Sequence, residues 1–194
     1  MNNRKEEILL TALHLFAQNG YEAVSVSQIA GELGITKGAL YRHYQNKRDI
    51  FDHIVLRMEQ GDSEQAADYL MPQEKATVDL QQKISVKQFI SYSKSMFEYW
   101  TEEDFASSFR KMLTLEQFRN EEMQRLYQQY LVAGPAEYVN QLFVNMGISD
   151  PQESANQFYG TMFFFYSMYD GAKDREKIKK LFEQTINQFA EKLN

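Results

Sequence analysis

Ser25-Val-Ser-Gln-Ile-Ala-Gly-Glu-Leu-Gly-Ile-Thr-Lys-Gly-Ala-Leu-Tyr-Arg-His-Tyr-Gln-Asn-Lys47 is the stretch that decides the fold. Ser25 and Gln28 stand at the spacing of a capping box, in which hydroxyl and amide each satisfy a backbone N–H left over at a helix start. Ile29 and Leu33 follow at helical spacing, Gly34 ends the run, and Ile35 plugs the corner. Thr36 then caps a second helix expected to run to about Tyr44. The pattern predicts two short helices joined by a glycine turn. The second carries Thr36, Lys37, Tyr41, Arg42 and His43, with Lys47 just beyond it.

Outward from this pair, Ile8, Ala12, Leu15 and Phe16 form a stripe at helical spacing, which predicts a helix from about Lys5 to Gln18 stopped by Asn19-Gly20. Asn46, with Asp49 three residues on and Ile50 and Ile54 facing inward, starts a fourth helix. Three helices in this order can read DNA, one entering the major groove by its N-terminal end while its partner crosses the backbone. Lys37 projects from the first turn toward a guanine edge or a phosphate. Gly38 and Ala39 are small enough for close approach to the sugar-phosphate wall, and Tyr41 offers a hydroxyl to a phosphate. Arg42 and His43 supply charged or base-directed donors. Lys47 opens the fourth helix, whose free N–H groups attract phosphate, and Ser25, Ser27 and Gln28 stand at the start of the second in the same role. The pattern is also open to a plain helix pair with a solvated basic face.

Charge distribution favours the first reading. The net charge is −6, yet residues 1–57 hold seven Lys/Arg against six Asp/Glu and all three histidines. The acidic excess lies in the rest of the chain, so DNA contact is expected from a few local groups with the body repelled from the duplex. Cysteine is absent, which excludes disulfides and thiolate metal sites. The start, Met1-Asn-Asn-Arg-Lys-Glu-Glu, leads into an amphipathic pattern rather than an apolar one, so a cytoplasmic protein with no signal peptide is expected. Three prolines, nine glycines and no sustained alternation predict an all-α chain.

Ile8-Leu-Leu-Thr-Ala-Leu-His-Leu-Phe-Ala-Gln-Asn-Gly-Tyr21, Val24-Ser-Val-Ser-Gln-Ile-Ala30 and Gly34-Ile-Thr-Lys-Gly-Ala-Leu-Tyr-Arg-His-Tyr-Gln-Asn-Lys47 together closely resemble the N-terminal domain of TetR-family transcriptional repressors. The match covers about the first fifty residues, with landmarks agreeing in order and spacing. The family pattern usually has phenylalanine where Tyr44 stands, and Tyr44 is expected to pack in the same way. The resemblance implies a three-helix helix-turn-helix DNA-binding domain at 1–47 and a helical ligand-binding and dimerisation domain at 48–194. It further implies a homodimer on a near-palindromic operator, repression of transcription, and release by a small-molecule inducer. Family C-terminal domains diverge widely, so the ligand does not carry over.

Beyond residue 84 the pattern predicts more helices. Ser85-x-x-Gln88 is a second capping box, with Ile84 and Phe89 as a hydrophobic staple. Thr101 is read as starting a helix near Glu102, followed by a long one from about Thr114 to Val132 that stops at Gly134-Pro135. Another runs to Met146-Gly147. Asp150-Pro151-Gln152-Glu153 is a start signal for a helix ending near Gly171, and the last helix begins at about Asp174. Residues 61–84 are read as prolonging the fourth helix and then forming a loop.

Most of the 14 Phe and 12 Tyr lie beyond residue 88. Phe89, Tyr92, Phe97, Trp100, Phe109, Phe118, Tyr127, Tyr130, Tyr138, Phe163 and Tyr166 are candidates for a pocket taking a small apolar or aromatic ligand, because tyrosine joins a large apolar body to a polar tip. Each is also an ordinary core residue. Phe158-Tyr-Gly-Thr-Met-Phe-Phe-Phe-Tyr-Ser-Met-Tyr169 is apolar around most of its circumference and too short for a bilayer, which takes roughly 20 residues. With Ile178, Leu181, Phe182, Ile186, Phe189 and Leu193 of the last helix it is the expected dimer interface, Phe182 being open also to a place in the intramolecular core. An enzyme is not expected: His14, His43 and His53 form no metal-spaced pair, and there is no glycine-rich phosphate loop or zinc-helix motif. No metal or cofactor is expected either. The alternative is a DNA-bound architectural or assembly factor whose C-terminal domain only dimerises and recruits a protein.

Overall fold

The computed structural model describes residues 3–72 and 84–193, and over them it is all-helical. In chain order the helices are α1 (Asn3–Asn19), α2 (Val26–Glu32), α3 (Lys37–Leu40), α4 (Lys47–Asp68), α5 (Val86–Glu102), α6 (Asp104–Glu116), α7 (Glu121–Leu131), α8 (Ala133–Met146), α9 (Pro151–Gly171) and α10 (Arg175–Leu193). The loop expected before Ser85 falls largely at 73–83, outside the described residues. No helix among the described residues is long and apolar enough to cross a membrane.

The chain forms two compact units, Met1–Asp62 with Asp104–Tyr127, and Ser63–Glu103 with Gln128–Asn194. The first unit therefore takes in α6 and most of α7 besides α1, α2, α3 and α4 as far as Asp62. Its core is apolar: Ile8, Leu13, Phe16, Ile29, Leu40, Ile50, Ile54, Phe109 and Met112 are fully buried. On α1 the core stripe passes through Leu13, while Leu15 is half-buried. Polar ties fix α6 and α7 to the other helices of this unit. His14 meets Asp104 at 2.8 Å, and the Arg57 guanidinium donates to Glu6 at 2.6 Å while lying over the Phe105 ring. Arg48 grips Glu122 with both terminal nitrogens, at 2.7 and 2.6 Å, and gives its Nε to Asp52.

That fork has a pH consequence. The hydrogen bond from Arg48 holds the Glu122 carboxyl below its ordinary value of 4.5. The group's pKa is depressed in the folded state, so its stabilisation is complete above the unfolded value and vanishes as pH falls through the lower folded one. Glu122→Gln is expected to lower stability at pH 7 by about 1 kcal/mol or less, as partly exposed pairs do. Thermal melts of the variant and the wild type are expected to converge once the pH is well below 4.5. A gap that persists there would mean Glu122 acts through packing, not charge.

The second unit is built on packed aromatic rings, some edge-on and some stacked. Phe89 packs on Phe143 and Phe158 at centroid distances of 5.0 and 4.8 Å. Phe97 stacks on Phe182 at 4.0 Å and on Tyr166 at 5.6 Å, uniting α5, α9 and α10. Their ends are tied by charge: Lys179 of α10 reaches Glu102 at 3.0 Å and Glu98 at 3.4 Å, and the Tyr169 hydroxyl donates to Glu102 at 2.9 Å.

Several expected boundaries move. Thr101 lies inside α5, its hydroxyl donating to the Phe97 carbonyl at 2.6 Å, a bond that keeps the residue helical rather than capping. The expected long helix from Thr114 is two, because the Asn120 side chain accepts from Met123 N–H at 3.0 Å and caps α7. Gly134-Pro135 opens α8 rather than ending α7. Proline in a first turn forfeits no helical hydrogen bond, and a Cβ on Gly134 would collide with the Gln129 carbonyl. Pro151 is the first residue of α9 as expected, but Asp150 takes a left-handed φ of 50° and makes no side-chain cap. At Ser85 half of the box forms. Its hydroxyl accepts from Gln88 N–H, whereas the Gln88 amide donates to the Tyr69 and Leu70 carbonyls.

Candidate nucleic-acid interface

Around α2 both halves of the capping box close. Ser25 Oγ accepts from Gln28 N–H at 3.2 Å, and Gln28 Oε1 accepts from Ser25 N–H at 2.7 Å. Ile29 and Ala30 bury the inner side of the helix, leaving Ser25, Ser27 and Gln28 exposed. Gly34, at φ +63°, turns the chain with a conformation that favours glycine. Thr36 Oγ1 accepts from Ala39 N–H at 3.1 Å, which leaves the hydroxyl proton to donate outward.

The short α3 is held from behind. Leu40 is fully buried, and Tyr44 packs edge-on against His53. The Tyr44 hydroxyl donates to the Lys5 carbonyl at 3.3 Å, a tie that phenylalanine would lack. Burial first, then the Glu6 and Asp49 charges, push its phenol up to about 12, so it stays a donor. In front, Lys37, Gly38, Tyr41 and Arg42 are exposed, while Ala39 and His43 are half-buried. The Lys37 ammonium lies 5.6 Å from the Tyr41 ring centroid. Among the described residues neither Lys37 nor Arg42 has a carboxylate at ion-pair distance, whereas Arg4 and Arg57 have at least one and Arg48 has two.

Lys47 differs from expectation. Its ammonium turns inward, donating to the Tyr21 carbonyl at 2.8 Å and to that of Glu22 at 3.4 Å, and lying 4.3 Å from the Tyr21 ring centroid. It locks the turn before α2 to the start of α4. Tyr21, Glu22 and Glu116, which complete this lock, carry no local sequence signal, since the Tyr21–Glu116 bond spans 95 residues of chain.

The aromatic candidates divide. Phe89, Tyr92, Phe97, Trp100, Tyr130, Phe163 and Tyr166 belong to the second unit, and Tyr138 with them. Phe89, Phe97 and Tyr166 lie within the ring stacks, and Tyr92 packs against Tyr69 and Tyr138. Phe109 and Tyr127 are buried in the first unit, and Phe118 is 89% exposed in the turn after α6. A shallow dimple in the second unit, with room for about one water, lies by Phe97 and Phe182 among Lys94, Glu98, Lys179 and Glu183.

The family described as bacterial regulatory proteins, tetR family, matches residues 8–54, the span that contains this interface. The HTH-type transcriptional regulator YerO of Bacillus subtilis (strain 168) is 47% identical over 47 residues, which are 24% of this chain and 16% of that protein. The shared segment is thus a small part of either. Two solved structures resemble the chain over nearly its whole length. One is a transcriptional regulator of Aquifex aeolicus VF5, at TM-score 0.72, 15% identity and coverage of 95% and 98% of the two chains. The other, a regulator of Saccharomonospora viridis in complex with choline, gives TM-score 0.68 at 19% identity and coverage of 98% and 97%.

Proposed function

We propose that the chain, whose residues 8–54 match the tetR family of bacterial regulatory proteins, is a repressor of that family that reads a two-fold operator as a homodimer and leaves it when a small molecule binds. The observation that carries the DNA reading is the α3 surface. Lys37 of α3 and Tyr41 and Arg42 of the turn that follows stand exposed, and Leu40 and Tyr44 anchor this segment from behind. The side chains that would meet DNA are free to do so, and their backbone is fixed.

The experiment is a binding titration on the duplex that the wild type selects from a randomised pool. Lys37→Ala and Arg42→Ala are each expected to weaken binding. A base contact costs about 1–3 kcal/mol and blurs one operator position, whereas a phosphate contact weakens all sites alike and lowers the salt slope by about one. If both variants bind like the wild type, α3 is not the reading helix.

The second unit is the proposed ligand-binding and dimerisation part. Its tyrosines support an apolar or aromatic ligand with a few polar anchors, and the acidic balance supports a neutral or cationic one. The choline held by the Saccharomonospora viridis regulator is a cation of this kind. A ligand shifts the DNA-bound state only by its differential affinity for two conformations, so a true inducer weakens operator binding by the factor by which operator weakens its own. An architectural dimer would show no such reciprocity with any compound.

A further inference from the structure

Three helices converge on the turn that follows α1. Gly20 there has φ +83°, and the last residue of α6, Glu116, lies against it with 1% of its surface exposed. Glu116 Oε1 accepts from Tyr21 N–H at 3.3 Å, and a Cβ on residue 20 would stand 2.6 Å from the same oxygen. At the far side of Tyr21 the Lys47 ammonium donates to its carbonyl at 2.8 Å. The Tyr21 ring is wedged edge-on between Phe16 and Phe51 at 5.1 and 5.2 Å. Tyr21 is thus held by an anion at its N–H, a cation at its C=O and two rings, while Glu116's nearest cation is the mostly exposed Arg119 at 3.9 Å. A buried carboxylate is costly to keep unless its partners are fixed. This one is spent on a backbone turn that leads, four residues on, to the Ser25 cap.

We propose that Glu116 is a positioning residue for DNA binding: it sets the Tyr21 turn, and through it Lys47 and the start of α2, without touching DNA. The inference rests on the reading of the first unit as DNA-binding. At 3.3 Å the bond is a long one, and its acceptor serves the Tyr21 turn rather than the apolar core, so removing it frees the turn.

The test uses Glu116→Leu, which keeps bulk and removes the acceptor, and Glu116→Gln, which keeps an acceptor oxygen at the same reach. Binding is measured by fluorescence anisotropy on the duplex selected from a randomised pool, and Tyr21 amide exchange by NMR on the full chain. Glu116→Leu is expected to bind about tenfold more weakly, the scale of one lost buried hydrogen bond, and to lose Tyr21 amide protection. Glu116→Gln is expected to stay within about threefold of wild type with protection kept. If the leucine variant fails to fold, Glu116→Asp, which keeps the charge but ends one carbon short, is expected to show the same weakening. Wild-type affinity in a folded Glu116→Leu or Glu116→Asp, or a glutamine variant as weak as they are, overturns the proposal. If the wild type itself selects no duplex, the DNA-binding reading fails first and this role falls with it. Selection by the wild type together with unaffected Glu116 variants removes the positioning role alone.

Discussion

Phe182→Ala is expected to lower the unfolding free energy by about 3–5 kcal/mol, the range for deleting a fully buried phenylalanine side chain. Its ring is 1% exposed, lies 4.0 Å from the Phe97 ring with the planes 20° apart, and meets Phe165 edge-on at 5.4 Å. Removing it strips contact from α5 and α9 at once, and the neighbouring rings cannot close the gap without leaving their own stacks. A domain is stable by only about 5–15 kcal/mol, so the loss is a large share of the total. Urea denaturation of the wild type, Phe182→Leu and Phe182→Ala reads it out, with leucine between the two. A midpoint for the alanine variant close to wild type would mean that the α5–α9–α10 core is not packed through this ring. The sequence leaves Phe182 open between a subunit interface and intramolecular core. Within the chain it is core, and so are Ile186 of the same helix and Phe158, Met162, Phe165, Tyr166 and Tyr169 of α9.

What was legible in the sequence was local. The Ser25–Gln28 box, the Asn46 cap and the left-handed glycines at 20 and 147 act over three or four residues, so spacing alone places them. Asn120 is equally local, but the apolar rhythm on both sides of it hid the break between α6 and α7. A phosphate beside Lys47 is the sequence expectation because the residue opens α4, whose free N–H groups attract one. The carbonyls that capture Lys47 belong to residues 25 and 26 positions earlier, and no periodicity reports such a meeting. Glu116 is the same case at longer range. Composition found the aromatic residues of the second unit, but it cannot distinguish a pocket lining from a stack. That difference lies in ring-to-ring distances such as those joining Phe89, Phe143 and Phe158.

Phe164→Glu is expected to leave the protomer folded and abolish the proposed dimer. The buried residues of α9, from Ala155 through Phe158, Met162 and Phe165 to Tyr169, follow helical spacing along one face. Phe164 stands on the opposite face at 60% exposure, with Leu181 of α10 at 41%. A substitution at so exposed a site changes protomer stability by no more than about 0.5 kcal/mol. In a two-fold dimer the same patch occurs on both subunits, so one substitution introduces two carboxylates into one apolar contact. Both would be desolvated near a like charge. Operator binding would then fall with the dimer. Two linked reading heads gain roughly a hundred- to ten-thousandfold over one from effective concentration alone, and a monomer forfeits that factor although its α3 surface is unchanged. Light scattering at micromolar concentration, paired with a titration on the selected duplex, separates the steps. A variant that scatters as a dimer, or a wild type that scatters as a monomer, would place the subunit contact away from Phe164 or remove it. A monomer that keeps full operator affinity would break the link between dimer and DNA reading.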